Sequence, residues 1–193
     1  MVFTNSKQIK QVMEKTLVIH PDDRSTDFLK PIYENLEGDV NVVTDGYYKS
    51  TIRAFIDQAD RVIMLGHGSP GGLFSVGKFY GCNGGYIIDE TMVASLGNKP
   101  NNMFIWCNAD KFVDRFYLKG FYSGMFISEY GEAAYCNTPT NPGDVEKSND
   151  LFSAIVGKNI MLEAKELCDK AKAEYYLSEN KVAEYNNQRL YFR

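Results

Sequence analysis

The 193-residue chain is long enough for one domain with a sizeable core, and its 44% apolar and 24% charged residues are typical of globular proteins. A net charge of −4 and the lack of a basic cluster give nucleic-acid binding little electrostatic support. No apolar run approaches the ~20 residues that span a bilayer, and the N-terminal sequence has no secretory cleavage pattern. We therefore expect a cytoplasmic protein with no membrane or nucleic-acid partner.

Four cysteines, Cys82, Cys107, Cys136 and Cys168, are scattered along the chain without C-x-x-C spacing. This arrangement argues against a zinc knuckle or a thioredoxin-type pair, and in a reducing compartment we expect free thiols. Three of them need no function, because a free cysteine is often a small buried hydrophobe.

Predicted strands and helices alternate along the first part of the chain. In order, they are a strand at Thr16–His20, a helix over residues 28–36, a strand at Asp39–Thr44, a helix capped by Ser50 and a strand at Arg61–Gly66. The helices place apolar side chains on one face, and Pro31 makes the first of them start late or bend. The third strand is apolar, as expected of a strand buried on both faces.

The rest of the chain continues the alternation after a glycine-rich loop over residues 66–85, in which Leu73–Val76 and Lys78–Tyr80 are predicted to form a hairpin. The later elements are a short helix capped by Asp89, a strand at Asn102–Cys107, a helical turn over residues 110–119, a strand at Gly124–Ser128, helices at Asp150–Val156 and Met161–Tyr176, and a strand at Leu190–Phe192. The predicted fold class is α/β, a three-layer α/β/α sandwich with a mostly parallel central sheet.

His67 and Cys107 each stand where an apolar strand ends. Catalytic groups collect at the carboxyl ends of parallel strands, and neighbouring strands lie about 4.8 Å apart. We therefore predict that His67 is a general base and Cys107 a nucleophile. The amides of Gly68 and Cys107 are predicted to form an oxyanion hole for acyl transfer.

The order of these features resembles the caspase-like cysteine peptidases, a group that includes caspases, clostripain and gingipains. The matching pieces are LGHGSPGG at Leu65–Gly72, FIWCNAD at Phe104–Asp110, and the segment from 125 to 157. The chain departs from caspases at Asn108, where they place arginine, and at Trp106, where alanine is common.

The resemblance covers roughly residues 15–157 and implies one caspase-like domain over 1–193, with an N-terminal arm over 1–14 and a C-terminal helical segment over 158–193. It also implies catalytic His67 and Cys107, with Gly68 assisting, and a protein or peptide substrate. The predicted function is a cysteine endopeptidase that works through a thioester and needs no metal or cofactor.

Three carboxylates follow the predicted fifth strand: Glu129, Glu132 and Asp144. We interpret them as substrate-binding residues that select a basic side chain. The sequence does not predict the cleavage site or the oligomeric state.

Two other functional interpretations stay open. The first is a catalytically inactive caspase-like interaction module. The second is a metal-dependent hydrolase built on His20, Asp22 and Asp23, because HPDD after a strand resembles the opening of zinc-dependent N-deacetylases. A zinc site usually needs three protein ligands, and His67 is the only other histidine in the chain. The plainer interpretation is that Asp22 or Asp23 begins a turn or caps the next helix.

A nucleotide-binding loop receives weaker support from the glycine-rich run. The run lacks the GxxxxGK[ST] pattern, and Pro70 stands where the helix of a dinucleotide fingerprint would begin.

Overall fold

The computed structural model describes residues 14–82, 85–176 and 179–193, so the predicted N-terminal arm lies outside the described residues except for Glu14. The described strands are β1 Lys15–Ile19, β2 Asp39–Val43, β3 Arg61–Leu65, β4 Gly68–Ser69, β5 Gly72–Phe74, β6 Tyr86–Ile88, β7 Asn102–Ile105, β8 Gly120–Ser123 and β9 Leu190–Phe192. The α-helices are α1 Lys49–Gln58, α2 Val93–Leu96, α3 Ala109–Phe116, α4 Tyr130–Tyr135, α5 Pro142–Lys158, α6 Ala164–Tyr176 and α7 Lys181–Asn187. Arg24–Ile32 and Glu90–Met92 are 3-10 helices.

The central sheet has six strands in the order β2-β1-β3-β7-β8-β9. All neighbouring pairs are parallel except β8 and β9, which are antiparallel. The predicted α/β class and mostly parallel sheet are therefore confirmed. Strands β4, β5 and β6 form a separate antiparallel sheet that follows the carboxyl end of β3.

Two apolar cores cover opposite faces of the central sheet, because successive side chains of a strand point to opposite sides. On β3, Val62 and Met64 belong to one core with side chains of α1, α2 and α3. Ile63 and Leu65 belong to the other core, with side chains of the first 3-10 helix, α5 and α6. The arrangement is compatible with a three-layer α/β/α sandwich.

The strand predicted at Gly124–Ser128 is wrong. The fifth parallel strand in chain order is β8, Gly120–Ser123, and the following residues are irregular up to α4. Apolar side chains lie on both sides of Gly124, so the pattern alone does not distinguish which stretch pairs with β7. In the structure the first stretch pairs with β7, and Phe121 lies opposite Met103 in the parallel ladder.

The predicted hairpin of Leu73–Val76 with Lys78–Tyr80 is also wrong. Strand β5 instead pairs with β4 on one side and β6 on the other. Glycine makes this close approach possible at Gly72, where φ is +137° and an added Cβ would lie 1.9 Å from the Ile88 carbonyl oxygen.

The predicted helix starts agree only in part with the structure. Asp89 caps a helix start as predicted, since its side chain accepts the Thr91 amide. Helix α1 begins earlier than Ser50, after Tyr48, which provides no side-chain cap. The helix that contains Pro31 is a 3-10 helix.

We expect Gly120→Ala to destabilise the protein strongly, because φ of Gly120 is +142° and an added Cβ would lie 2.0 Å from the Asn102 carbonyl oxygen on β7. Backbone strain and overpacking together predict a loss of at least about 2 kcal/mol in the free energy of unfolding, measured by urea denaturation. Gly131→Ala in α4 is the matched control, since an added Cβ there meets nothing within 4 Å. Equal effects of the two substitutions would contradict this account.

Candidate active site

The register of β3 and β7 brings His67 and Cys107 to the same edge of the sheet. Leu65 lies opposite Ile105, and the Gly66 amide donates to the Ile105 carbonyl at 3.1 Å. His67 and Cys107 each follow two residues after this pair, at the carboxyl ends of neighbouring parallel strands. Both line the same small cleft.

Apolar side chains form much of the cleft wall, among them Phe28, Leu29, Ile105 and Phe126. The rings of Phe28 and Phe126 are nearly parallel, with centroids 6.4 Å apart. Phe28 comes from the first 3-10 helix and Phe126 from the irregular segment after β8. A wall of this kind lowers the local dielectric constant, so charges beside the cleft interact more strongly than they would in water.

The loop after β1 holds the imidazole of His67. Its Nε2 lies 2.7 Å from the hydroxyl of Ser25, and that hydroxyl donates to Oδ1 of Asp23 at 2.9 Å. The other carboxylate oxygen, Oδ2, lies 3.7 Å from Nε2. Asp23 also caps the first 3-10 helix through the Ser25 amide, which confirms the plainer interpretation of the HPDD sequence.

The thiol of Cys107 is held in its protonated form. Its Sγ donates to the Phe126 carbonyl at 3.3 Å, and Oε1 of Glu132 lies 3.7 Å away. Burial, followed by the charge of Glu132, raises the pKa of the Cys107 thiol to about 12. In this conformation the thiolate, which is the reactive form, is strongly disfavoured at neutral pH.

Glu132 is fixed beside this thiol by the start of α4. Its Oε2 accepts hydrogen bonds from the Ser128 amide at 2.7 Å, the Ser128 hydroxyl at 3.0 Å and the Glu129 amide at 3.0 Å. The two oxygens of Glu132 therefore have different partners. One stabilises the helix terminus, and the other faces Cys107.

The other two predicted substrate-binding carboxylates lie at helix starts. Glu129 is exposed and immediately precedes α4. Asp144 lies in the first turn of α5, where its Oδ2 accepts from the Asn141 side chain at 2.6 Å. Of the three carboxylates, the structure brings Glu132 into contact with Cys107.

Gly68 lies on Trp106, which precedes Cys107. An added Cβ at Gly68 would lie 2.3 Å from Cδ1 of the indole and 2.5 Å from the Gly72 carbonyl oxygen, so only glycine fits. The Phe74 amide donates to the His67 carbonyl at 2.8 Å, and Gly68 lies opposite Leu73 in the next pair. Because bonded and non-bonded pairs alternate in antiparallel strands, the Gly68 amide points away from β5.

His20 is satisfied within the protein. Its Nδ1 lies 3.0 Å from the Tyr33 hydroxyl and its Nε2 lies 3.1 Å from the Thr26 hydroxyl. Both ring nitrogens thus have protein partners, and neither is left to bind a metal ion. Among the described residues, His, Cys, Asp and Glu side chains form no group of three with metal-binding geometry.

The sequence analysis did not predict Ser25, which contacts His67, or Phe126, which lines the cleft. Ser25 carried a usable signal, because it follows β1, and β1 adjoins β3 in the sheet. The strand-end rule therefore applied to the loop after β1 as well. Phe126 carried no such signal, since it belongs to an irregular segment.

No protein-family model matches the chain, and no curated protein matches it significantly. In the part of the chain that the structure describes, no helix has the length and apolar character needed to cross a membrane.

We expect Glu132→Gln to increase the alkylation rate of Cys107 by iodoacetamide at pH 8. Glutamine preserves the capping interactions but removes the negative charge beside the thiol, so the pKa of Cys107 falls. A decrease of one pKa unit corresponds to about a tenfold increase in thiolate at this pH. Mass spectrometry identifies the labelled cysteine.

Glu129→Gln is the matched control for this experiment, since Glu129 is exposed and lies on the same helix terminus. It should leave the labelling rate of Cys107 unchanged. An unchanged rate in a folded Glu132→Gln variant would show that the Glu132 charge does not restrain the thiol.

We also expect acid to destabilise the protein through His20. Burial, aided by the nearby charge of Lys30, lowers the pKa of His20 from 6.5 to about 4. The unfolded chain therefore binds a proton between pH 6.5 and 4 that the folded protein does not. The contribution of His20 to the free energy of unfolding is fully present above about pH 6.5 and is lost as the pH falls towards 4.

Protonation of His20 lowers the free energy of unfolding by roughly 3 kcal/mol across this pH range. Urea denaturation of wild type and His20→Gln at several pH values measures it, and the variant should show a shallower decline. Parallel declines in the two proteins would contradict a contribution from His20.

Proposed function

We propose that the chain is a cysteine endopeptidase with a caspase-like fold, in which Cys107 is the nucleophile and His67 the general base. The observation that supports this most strongly is the placement of both side chains on one cleft at the carboxyl edge of a parallel sheet. The order of the matching segments along the chain supports the same group of enzymes.

In the proposed reaction, His67 takes the proton of the Cys107 thiol, and the sulfur attacks the carbonyl carbon of the scissile peptide bond. The resulting tetrahedral intermediate collapses when His67 returns the proton to the leaving amine. A thioester then joins the acyl part of the substrate to Cys107. Water, deprotonated by His67, hydrolyses the thioester and regenerates the thiol.

The oxyanion of the tetrahedral intermediate needs hydrogen-bond donors, and the Gly68 amide is suited to this role. It points away from β5, and glycine carries no side chain that would cover the amide. The Cys107 amide is the second proposed donor.

A substrate must displace the contacts that hold the thiol protonated. The Phe126 carbonyl and the Glu132 carboxylate both stabilise the S–H form, so the described conformation is a resting state. A basic substrate side chain paired with Glu132 would neutralise its charge and lower the pKa of Cys107. Glu132 is therefore the best placed of the three predicted carboxylates to select such a side chain.

The second candidate function is an interaction module that retains the fold without catalysis. One observation favours it, namely that burial and Glu132 raise the pKa of the Cys107 thiol to about 12. An inert thiol of this kind is typical of structural cysteines.

The experiment that separates the two candidates uses a set of peptidyl acyloxymethyl ketones with basic, acidic and apolar side chains before the ketone. A peptidase should form a thioether at Cys107 at pH 7–8, with basic probes reacting fastest. His67→Ala should slow this labelling by at least about a hundredfold, as expected for loss of a general base. Mass spectrometry locates the modified residue.

Cys82→Ala is the matched control, because Cys82 is a partly exposed thiol on the glycine-rich loop. It should react with probes and cleave peptides as wild type does, whereas Cys107→Ala should do neither. Peptide cleavage that persists in Cys107→Ala would rule out the proposed nucleophile. A folded wild-type protein that no probe labels at Cys107 would favour the interaction module.

A further inference from the structure

A serine hydroxyl lies between a carboxylate and the imidazole at this site. Ser25 Oγ is 2.9 Å from Oδ1 of Asp23 and 2.7 Å from Nε2 of His67. The proposed reaction uses His67 and Cys107, and it assigns no role to Ser25 or Asp23. Both of these residues are only partly exposed.

The number of available protons determines which group donates in each of these two hydrogen bonds. An ionised carboxylate only accepts hydrogen bonds, and a serine hydroxyl has one proton to donate. If Ser25 donated to Nε2, its lone pairs would face the Asp23 oxygen at 2.9 Å without a proton between them. The favourable arrangement has Nε2–H of His67 donating to Ser25, and Ser25 donating to Asp23. Nδ1 of neutral His67 is then unprotonated.

Local hydrogen bonds keep the Asp23 carboxylate ionised, so it can accept the proton of the Ser25 hydroxyl in a hydrogen bond. The hydrogen bond from the Ser25 amide, together with that from the Ser25 hydroxyl, lowers the pKa of Asp23. Its second oxygen, Oδ2, lies 3.7 Å from Nε2 of His67, close enough to stabilise an imidazolium cation.

The loop that carries these groups is anchored independently of His67. The Thr26 amide and hydroxyl both donate to the Asp23 carbonyl at 3.0 Å. The same Thr26 hydroxyl contacts Nε2 of buried His20 at 3.1 Å. Ser25 is therefore part of an ordered helix start, in which its position is set by the backbone.

We propose that Ser25 is a positioning residue, which links the charge of Asp23 to Nε2 of His67 and leaves Nδ1 as the nitrogen that receives the proton of Cys107. This role rests on the proposed function, since it concerns the base of that reaction. Asp23 and Ser25 together fix the tautomer of the base and stabilise the cation that forms when Cys107 loses its proton. In serine peptidases an aspartate performs both tasks by direct contact with the histidine.

The test uses the full chain labelled with ¹⁵N-histidine and long-range ¹H–¹⁵N NMR, which reports the nitrogen that carries the proton. The chain contains two histidines, so His20→Gln assigns both sets of signals. In wild type at pH 8 we expect His67 protonated on Nε2. In Ser25→Ala the ratio of the Nε2–H to the Nδ1–H form should fall by about tenfold, as expected for loss of one hydrogen bond.

Two conservative variants separate a positioning role from a merely structural one. Ser25→Thr retains the hydroxyl and should restore the wild-type ratio. Asp23→Asn retains an oxygen that accepts from Ser25 and a good helix cap, so the tautomer should persist. The stabilising charge is lost in Asp23→Asn, and we expect kcat for peptide cleavage to fall about tenfold with KM unchanged.

Two results would overturn the proposal. They are a wild-type His67 protonated mainly on Nδ1, and an unchanged tautomer ratio in a folded Ser25→Ala variant. The tautomer is measured without substrate, so this test does not depend on peptidase activity. If the chain shows the expected tautomers but cleaves no peptide, the positioning of His67 by Ser25 stands and the proposed peptidase function is wrong.

Discussion

The parallel pairing of β3 with β7 is the constraint on which the candidate site depends. Leu65 and Ile105, the last residues of these two strands, lie opposite each other, and both are buried. A slip of one residue in this register would reverse the facing of every side chain on the strand and disrupt the packing of both cores. Each residue follows its strand by only two positions, and His67 and Cys107 therefore line the same cleft. The two apolar cores that flank β3 thus determine the geometry of the cleft as well as the stability of the fold.

The groups beside His67 and the groups beside Cys107 have opposite electrostatic effects at this cleft. On the side of His67, the Asp23 carboxylate lies close to the imidazole and the Ser25 hydroxyl contacts Nε2. On the side of Cys107, burial and Glu132 oppose an anion. An ion pair between thiolate and imidazolium would be stabilised by the first set of groups and destabilised by the second. The balance shifts when the Glu132 charge is neutralised or moved, which ties the reactivity of the thiol to the start of α4.

Much of the fold could be predicted because it depends on periodicity. Alternating apolar strands and amphipathic helices predicted the parallel sheet, and the positions of His67 and Cys107 at strand ends predicted a shared site. The irregular segment after β8 was misassigned because apolar residues on both sides of Gly124 fit a strand equally well. Phe126 and the contact of Glu132 with Cys107 depend on how that segment folds back against the cleft. Such contacts join distant parts of the chain and leave no periodic pattern.

Trp106 gives the site a property that its chemistry does not require. It is the only tryptophan in the chain, it is almost fully buried, and it lines the cleft together with His67 and Cys107. Its indole N–H donates to the Ser69 carbonyl at 3.1 Å, so the ring is fixed to β4. Tryptophan fluorescence of this protein therefore comes from one chromophore in the wall of the cleft. Any opening of the cleft changes the surroundings of that ring, so the protein contains its own optical reporter of the site.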